Sequence, residues 1–235
     1  MKIGFKIIAL YSIVFVIVIS LVLTGNRLVT AISQQWPLSA ERYIVIDAGH
    51  GGIDGGATSC TGILESRINL EIALRLNDLL HLMGVHTIMI RSDDRSVYTS
   101  GQTIAAKKVS DLKERVRLVN DTPNAILVSI HQNTFPDRRY YGAQVFYGNA
   151  GSSKELAQQM QSDLVSTLNP GSSRTIKPGD GIFLLDKINT TGILIECGFI
   201  SNPEEEAKLR DCAYQKKLAC VVACVCSRYL SFHGT

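Results

Sequence analysis

The strongest constraint on the fold is an alternation of short β-branched runs with a segment of helical periodicity. Tyr43–Asp47 (YIVID), Ala125–Ile130 (AILVSI) and Gly192–Ile195 (GILI) are apolar runs of strand length. Between the first two runs, apolar residues recur at helical spacing over 64–83, and a glycine follows. Strands that alternate with helices predict an α/β fold, with a mainly parallel twisted sheet and helices on both faces.

The same patterns predict the remaining elements. Further strands are predicted at Val85–Ile90, Ala143–Tyr147 and Ile182–Leu185, and further helices at Asp111–Val119, from Ser152 or Ser153 to Leu168, and around Leu218–Tyr229. Another helix is predicted to begin at Asn202-Pro203, where an N-cap residue precedes a proline and three glutamates. Acidic residues in a first turn interact favourably with the positive end of the helix dipole.

An uncharged run of 20 residues, Ile7–Asn26, precedes these elements. As a helix it would be about 30 Å long, which matches the hydrocarbon core of a bilayer. Lys2 and Lys6 before it, against Arg27 after it, favour a cytoplasmic N-terminus. We therefore predict a membrane anchor over 1–26, a linker over 27–42 and one domain over 43–235 outside the cytoplasm.

Two other interpretations of this run were weighed. Val29-Thr30-Ala31 is similar to a small-residue cleavage site, so the run could be a signal peptide, which also implies export. A buried core helix is disfavoured, because such a helix is rarely apolar on every face.

The net positive charge of the chain comes from its N-terminal residues. Three of the 24 basic residues, Lys2, Lys6 and Arg27, precede the first acidic residue, Glu41, so the rest of the chain holds 21 basic and 21 acidic side chains. A formally neutral domain lacks the basic surface that nucleic-acid binding requires, and that class of partner is excluded.

Polar residues follow the three most apolar strands. They are Asp47-Ala48-Gly49-His50-Gly51-Gly52, then His131-Gln132-Asn133, then Glu196-Cys197-Gly198. Because the carboxyl ends of parallel strands meet at one edge of a sheet, His50, His131 and Glu196 are expected to converge there. Glu65, in the first turn of the helix after a loop with six glycines, faces the same edge.

Two histidines and one glutamate form a known catalytic zinc set that leaves a position open for water. A second glutamate can then serve as general base. The residues by themselves predict a catalytic zinc site, and they leave open which glutamate is the ligand.

Several other motifs are excluded. No Gly-Lys-Ser/Thr follows the glycine loop, Asp54 stands where GxGxxG needs its third glycine, and HExxH does not occur. His81 and His86 are not predicted to lie beside other histidines or carboxylates, and they are predicted to be structural. Arg115 and Arg117 are predicted on a solvated helix face. Asp47 is expected either to orient a ligand histidine or to cap the glycine loop.

Three segments of the sequence, together with the pair Glu65 and Asn69, are similar to motifs of one enzyme family. Ile46–Thr58 (IDAGHGGIDGGAT), Glu65 with Asn69, Ser129–Thr134 (SIHQNT) and Leu194–Glu206 (LIECGFISNPEEE) are similar to the zinc-dependent N-acetylmuramoyl-L-alanine amidases of bacterial cell walls. The resemblance covers 43–210. It implies that His50, Glu65 and His131 are the zinc ligands and that Glu196 is the catalytic glutamate. It also implies the reaction: hydrolysis of the amide between the lactyl group of N-acetylmuramic acid and L-alanine in peptidoglycan.

The domain organisation indicates which members of the family this sequence resembles most. A catalytic domain behind a membrane anchor, with no wall-binding repeat in this sequence, is most similar to the germination-specific members of spore formers. That implies a role in spore cortex, where muramic-δ-lactam is made, and a location in the spore envelope. Only 64 residues separate His131 from Glu196, too few for an inserted blocking helix. Control is therefore expected through the anchor or an extracytoplasmic activating protein.

Two other functions stay open at this point: another wall metallohydrolase, such as a carboxypeptidase or deacetylase, and a catalytically silent wall-binding regulator. The presence of His50, Glu65, His131 and Glu196 argues against a silent regulator. The six cysteines are predicted to be free and mostly buried, because a domain of this size needs no disulfides to stabilise its core.

Overall fold

The sheet is assembled from buried β-branched strands around β1. The structure, a computed structural model, describes residues 42–233. Within that range the strands are β1 Tyr43–Ala48, β2 Thr87–Met89, β3 Ala125–Asn133, β4 Gln144–Tyr147, β5 Lys177–Pro178 and β6 Thr191–Phe199. They form one sheet in the order β2-β1-β3-β6-β4-β5. Only the β4–β6 pairing is antiparallel among these strands, so the predicted mainly parallel sheet is confirmed.

Helices cover both faces of the sheet. They are α1 Glu65–Leu82, α2 Ile104–Asn120, α3 Ser153–Leu168, α4 Phe183–Lys187, α5 Pro203–Arg210 and α6 Cys212–His233. One buried apolar cluster joins the sheet to α1, α3 and α6, and a second joins it to α2 and α4. The prediction of helices on both faces is confirmed.

The two strands that carry the candidate site are longer than their apolar runs. β3 continues to Asn133 and β6 to Phe199, because backbone pairing between the two strands extends past the last aliphatic residue. His131 and Glu196 therefore lie on the strands themselves, directly opposite each other in register.

The predicted strand at Ile182–Leu185 is wrong. That segment opens into the short helix α4, and the carboxylate of Asp186 accepts a hydrogen bond from the Gly181 N–H at 3.1 Å. A four-residue apolar run fits a strand and a helix equally well, so periodicity could not decide between them.

Side-chain caps set the start of two helices. α2 begins at Ile104, seven residues before the predicted start, where Thr103 accepts a hydrogen bond from the Ala106 N–H at 3.1 Å. Asn202 caps α5 through the N–H groups of Glu204 and Glu205, as predicted.

The predicted membrane anchor at 1–26 and all but the last residue of the linker at 27–42 lie outside the described residues. Among residues 42–233, no helix combines the length and the apolar composition needed to cross a bilayer.

All six cysteines lie among the described residues, and none forms a disulfide, as predicted. The expectation that most are buried is wrong, because only Cys197 and Cys226 are. Cys220 and Cys224 lie one turn apart on the exposed face of α6.

Candidate active site

His50, Glu65 and His131 come together at the carboxyl end of the sheet. Each offers a ligand atom, and these atoms all lie within 4.8 Å of one another. Nε2 of His50 is 3.3 Å from one oxygen of Glu65, and Nδ1 of His131 is 3.0 Å from the other. The loop after β1, the first turn of α1 and the end of β3 thus meet at the place that the strand pattern indicated.

Glu65 is buried and held by several donors. Its Oε1 accepts hydrogen bonds from Asn69 Nδ2 and from the Gln132 N–H, each at 3.1 Å. Burial alone would raise the pKa of this carboxyl, but hydrogen bonds from His131 and His50 outweigh it and keep the pKa far below its usual range. Glu65 is therefore a carboxylate at neutral pH.

His50 is positioned by its backbone and by its ring. Its φ of 60° lies in the left-handed region, which is unfavourable for a side chain with a Cβ. Nδ1 lies 2.9 Å from Oδ2 of Asp54, and Lys108 Nζ lies 2.7 Å from the other Asp54 oxygen. Because a carboxylate only accepts, Nδ1 donates to Asp54, and Nε2 is directed toward Glu65.

The electrostatics of this cluster favour positive charge. Burial lowers the pKa of His50, but the neighbouring carboxylates of Glu65 and Asp54 outweigh burial and raise it to about 9. A site that draws a proton so strongly onto an imidazole is one that a metal cation also suits.

Arg115 does not lie on a solvated helix face, and that prediction is wrong. The residue is 2% exposed, and its side chain ion-pairs with Asp47 and Asp111 and donates from Nη2 to the His50 carbonyl at 2.7 Å. The apolar periodicity of α2 could not reveal a charged partner on a neighbouring strand. Arg117 is exposed, as predicted.

Asp47 takes neither of the two expected roles directly. It is buried and accepts hydrogen bonds from Arg115 and, at 2.6 Å, from Ser129 Oγ. It therefore acts on the His50 backbone through Arg115, not on a histidine ring.

A second buried arginine was missed in the sequence. Arg91 is fully buried and donates to three carbonyls around the glycine loop, those of Ala48 at 2.7 Å, Gly49 at 3.0 Å and Ser66 at 2.8 Å. No feature of its surrounding sequence distinguishes it from a surface arginine.

Two glycines permit the close approach of the ligand groups. A Cβ at Gly49 would lie 2.2 Å from the His131 ring, and a Cβ at Gly56 would lie 2.6 Å from Oε2 of Glu65. Gly56 also has a φ of +69°. The absence of a side chain at these positions is therefore required by the site.

Glu196 faces the cluster from β6. Its Oε2 is buried and has no hydrogen-bond partner among the described residues. Burial raises the pKa of Glu196 to about 7, against the opposing effect of His131. A carboxyl with a pKa near neutrality can both accept and return a proton.

A cavity of about 330 Å³ opens beside the cluster. Its lining includes His50 and His131 of the cluster, Leu112 of α2, and Phe183 and Leu184 of α4.

His81 and His86 lie apart from the cluster, as predicted. A ring nitrogen of His81 is 2.6 Å from Thr87 Oγ1, and the ring of His86 packs 5.8 Å from that of Tyr43.

An α/β sheet with a His, Glu and His cluster at one edge, and a glutamate oxygen there that has no hydrogen-bond partner among residues 42–233, is typical of a hydrolase. The family model for N-acetylmuramoyl-L-alanine amidases matches residues 44–224. This chain belongs to the N-acetylmuramoyl-L-alanine amidase family and is an amidase. The resemblance found in the sequence motifs is thereby confirmed.

Similar proteins support the same assignment. The germination-specific N-acetylmuramoyl-L-alanine amidase of Bacillus subtilis is 36% identical over 200 residues, which cover 84% of this chain and 83% of that protein. The CwlD amidase of Clostridioides difficile, solved in complex with the GerS lipoprotein, has a TM-score of 0.78 and 39% identity, covering 81% of this chain and 99% of that one. An N-acetylmuramoyl-L-alanine amidase of Clostridium difficile 630 has a TM-score of 0.70 and 34% identity, covering 82% and 98%.

Proposed function

We propose that this amidase is zinc-dependent, that His50, Glu65 and His131 are the ligands, and that Glu196 transfers the proton. Two imidazole nitrogens and one carboxylate oxygen, all within 4.8 Å of one another, match the donors of catalytic zinc sites. When bound, zinc would polarise the amide carbonyl and activate water. The observation that carries the proposal is Oε2 of Glu196, which is buried, has no hydrogen-bond partner in the described part of the chain, and lies on the residue paired with His131.

Some residues of the chain orient the proposed ligands, and Glu196 transfers the proton. Asp54 and Arg115 orient His50, and Asn69 holds Glu65. Oε2 of Glu196 accepts a proton from the attacking water while the water oxygen bonds to the lactyl carbonyl carbon. Glu196 then gives that proton to the alanine nitrogen as the C–N bond breaks. The products are a lactyl carboxylate and a peptide with a free amine.

Product analysis tests this reaction. The zinc-loaded full chain is incubated with purified muropeptides, and the products are identified by mass spectrometry. We expect N-acetylmuramic acid with a free lactyl carboxyl group, together with peptides that begin with L-alanine. Release of D-alanine or of acetate would indicate a carboxypeptidase or a deacetylase. No release, even with forespore membranes added, would indicate a silent wall-binding regulator.

We also propose that the substrate is spore-cortex peptidoglycan and that the product supports muramic-δ-lactam formation and germination. The support is the similarity to the germination-specific amidase of Bacillus subtilis over most of both chains. Deletion of the gene should yield spores whose cortex lacks muramic-δ-lactam, measured on digested cortex. Unchanged lactam content would contradict the role.

Location and control complete the proposal. The catalytic domain over 43–235 would lie outside the cytoplasm, tethered by 1–26 and activated by an extracytoplasmic protein. The support for a partner protein is the similarity to the CwlD amidase, whose structure was solved in complex with the GerS lipoprotein. The purified chain alone should cleave purified cortex slowly, and the rate should rise with added forespore membranes. Full activity without any addition would contradict a required partner.

A further inference from the structure

The strand order places one residue of β4 beside Glu196. β6 lies between β3 and β4, and Gln144 is the direct antiparallel partner of Glu196. Such partners project their side chains on the same face of a sheet, with Cα atoms about 4.5–5.5 Å apart. The side chain of Gln144 therefore borders the candidate site on the side away from His131.

An arginine is fixed on that same side. Nη1 of Arg174 donates to Oε1 of Gln144 at 3.2 Å, and its Nε donates to the Tyr141 carbonyl at 2.8 Å. Its guanidinium carbon lies 4.6 Å from the centroid of the Phe199 ring. These contacts hold the guanidinium in one plane, while Nη2 has no hydrogen-bond partner among residues 42–233.

The charge of Arg174 is not neutralised by an ion pair in the described part of the chain. Glu205 is the acidic residue with the strongest effect on it. That carboxylate accepts a hydrogen bond from the Gly142 N–H at 2.7 Å and lies 3.7 Å from Lys208 Nζ. Partial burial lowers the pKa of Arg174, so its cation has lost hydration that an anionic ligand would replace.

The direction of the substrate follows from the proposed function, on which this inference rests. Glu196 gives its proton to the alanine nitrogen, so the peptide begins at Glu196 and the sugar lies on the other side of the broken bond. On this proposal the peptide extends across β6 toward Gln144 and Arg174, because the proposed ligand His131 lies on the opposite side of Glu196. A group on the next residue lies within about 7 Å of that nitrogen, the span of two extended residues.

We propose that Arg174 binds the carboxylate of the residue that follows L-alanine in the stem peptide. In peptidoglycan that residue is a γ-linked D-glutamate, whose α-carboxyl group is either free or amidated. The planar guanidinium matches a carboxylate through parallel N–H···O bonds, and a carboxamide cannot accept both. Arg174 thereby makes the enzyme selective for the free acid.

A pair of substrates that differ in one group tests the proposal. The zinc-loaded full chain is assayed on muropeptides with the free acid or with the amide, and kcat/KM is measured for each. We expect the wild type to prefer the acid by about 10- to 100-fold. Arg174→Gln should remove the preference by slowing only the acid, and Arg174→Lys should restore part of it.

Arg139→Gln is the matched control. Arg139 lies in the neighbouring loop, is exposed and ion-pairs with Asp137, so removing its charge should leave the preference unchanged. Equal kcat/KM of the wild type on both substrates would overturn the proposal. An equal loss on both substrates in Arg174→Gln would also overturn it, because that outcome indicates a structural role.

A binding measurement separates this proposal from the proposed reaction. Both muropeptides are titrated by calorimetry into the full-chain Glu196→Gln variant and into the Glu196→Gln, Arg174→Gln double variant. Tighter binding of the acid that disappears in the double variant supports the carboxylate site, whichever bond the enzyme cleaves. Equal binding of acid and amide by Glu196→Gln would overturn it.

Discussion

His50 shows how residues outside the ligand set determine the geometry of the site. Its backbone is in a left-handed conformation that the Arg115 contact to its carbonyl helps to hold. Its ring is directed by Asp54, which Lys108 holds in turn. The proposed ligands thus depend on a surrounding set of contacts, as second-layer partners commonly orient metal ligands.

Gly49→Ala tests the close packing against His131. The new Cβ would lie 2.2 Å from the imidazole and displace it. We expect zinc affinity, measured by competition with a chelating dye, to fall by more than about tenfold. Gly84→Ala is the control: it has a φ of +75° but open space around it, so it should cost about 1 kcal/mol of stability and leave zinc binding unchanged. Normal zinc affinity in Gly49→Ala would contradict the packing.

Asp47→Asn tests the buried ion pair with Arg115. Burial raises the pKa of Asp47, but Arg115 and Ser129 outweigh burial, so the pKa is lowered on folding. A lowered pKa stabilises the fold above the ordinary carboxyl value of about 4, and this stability is lost as the pH falls through the folded-state pKa.

The variant should therefore lower the free energy of unfolding by about 1–3 kcal/mol at pH 7, because it removes one of the two carboxylates that pair with the buried Arg115 and leaves only Asp111. In urea titrations the difference from wild type should shrink below about pH 4. Asp121→Asn, which removes an exposed pair with Arg117, should change stability by less than about 1 kcal/mol. A difference that persists unchanged at low pH would contradict this account.

At the scale of residues, the sequence predicted the candidate metal ligands and the candidate proton-transfer residue. It did not predict the buried arginines that position them. His50, His131 and Glu196 could be predicted because each follows or ends an apolar strand, and parallel strands end at one edge. Arg115 and Arg91 could not, because their burial depends on how α2 and the loops pack against β1.

At the scale of elements, hydrophobic runs predicted five of the six described strands but not their ends, and β5 at Lys177–Pro178 has no apolar run that could predict it. β3 and β6 continue past their last aliphatic residues, since each supplies the other's backbone hydrogen bonds. This continuation sets His131 opposite Glu196. The start of α2 depends on a single cap, Thr103, which lies outside the apolar pattern. The short helix α4 has too few residues for any periodicity to be detected.

Asn202→Ala tests the cap of α5. Its Oδ1 accepts from the N–H groups of Glu204 and Glu205, and its Nδ2 donates to the Tyr140 carbonyl at 3.2 Å. Loss of the cap should lower the free energy of unfolding by about 1–2 kcal/mol, measured in urea. Asn202→Asp keeps the cap acceptor and should recover most of that loss. Equal destabilisation by both variants would show that the Tyr140 contact dominates.

At the scale of the whole molecule, a neutral domain buries two apolar clusters and gathers its polar machinery at one edge of the sheet. The cavity beside His50 is bordered by α2 and α4, which belong to the smaller of the two clusters. The alternation of strands and helices was sufficient to predict the sheet and the edge at which His50, Glu65 and His131 come together. The shape of the cavity was not predictable, because it depends on α4.

The central claim is that Glu65 is a zinc ligand while Glu196 transfers the proton, and one paired measurement tests it. Zinc content and the rate of muropeptide hydrolysis are determined together for Glu65→Gln and Glu196→Gln in the full chain. Glu196→Gln should keep stoichiometric zinc and lose about 10²- to 10⁴-fold in rate, because it can no longer accept the proton. Glu65→Gln should lose zinc as well as activity. Zinc retained by Glu65→Gln and lost from Glu196→Gln would reverse the two roles and contradict the account.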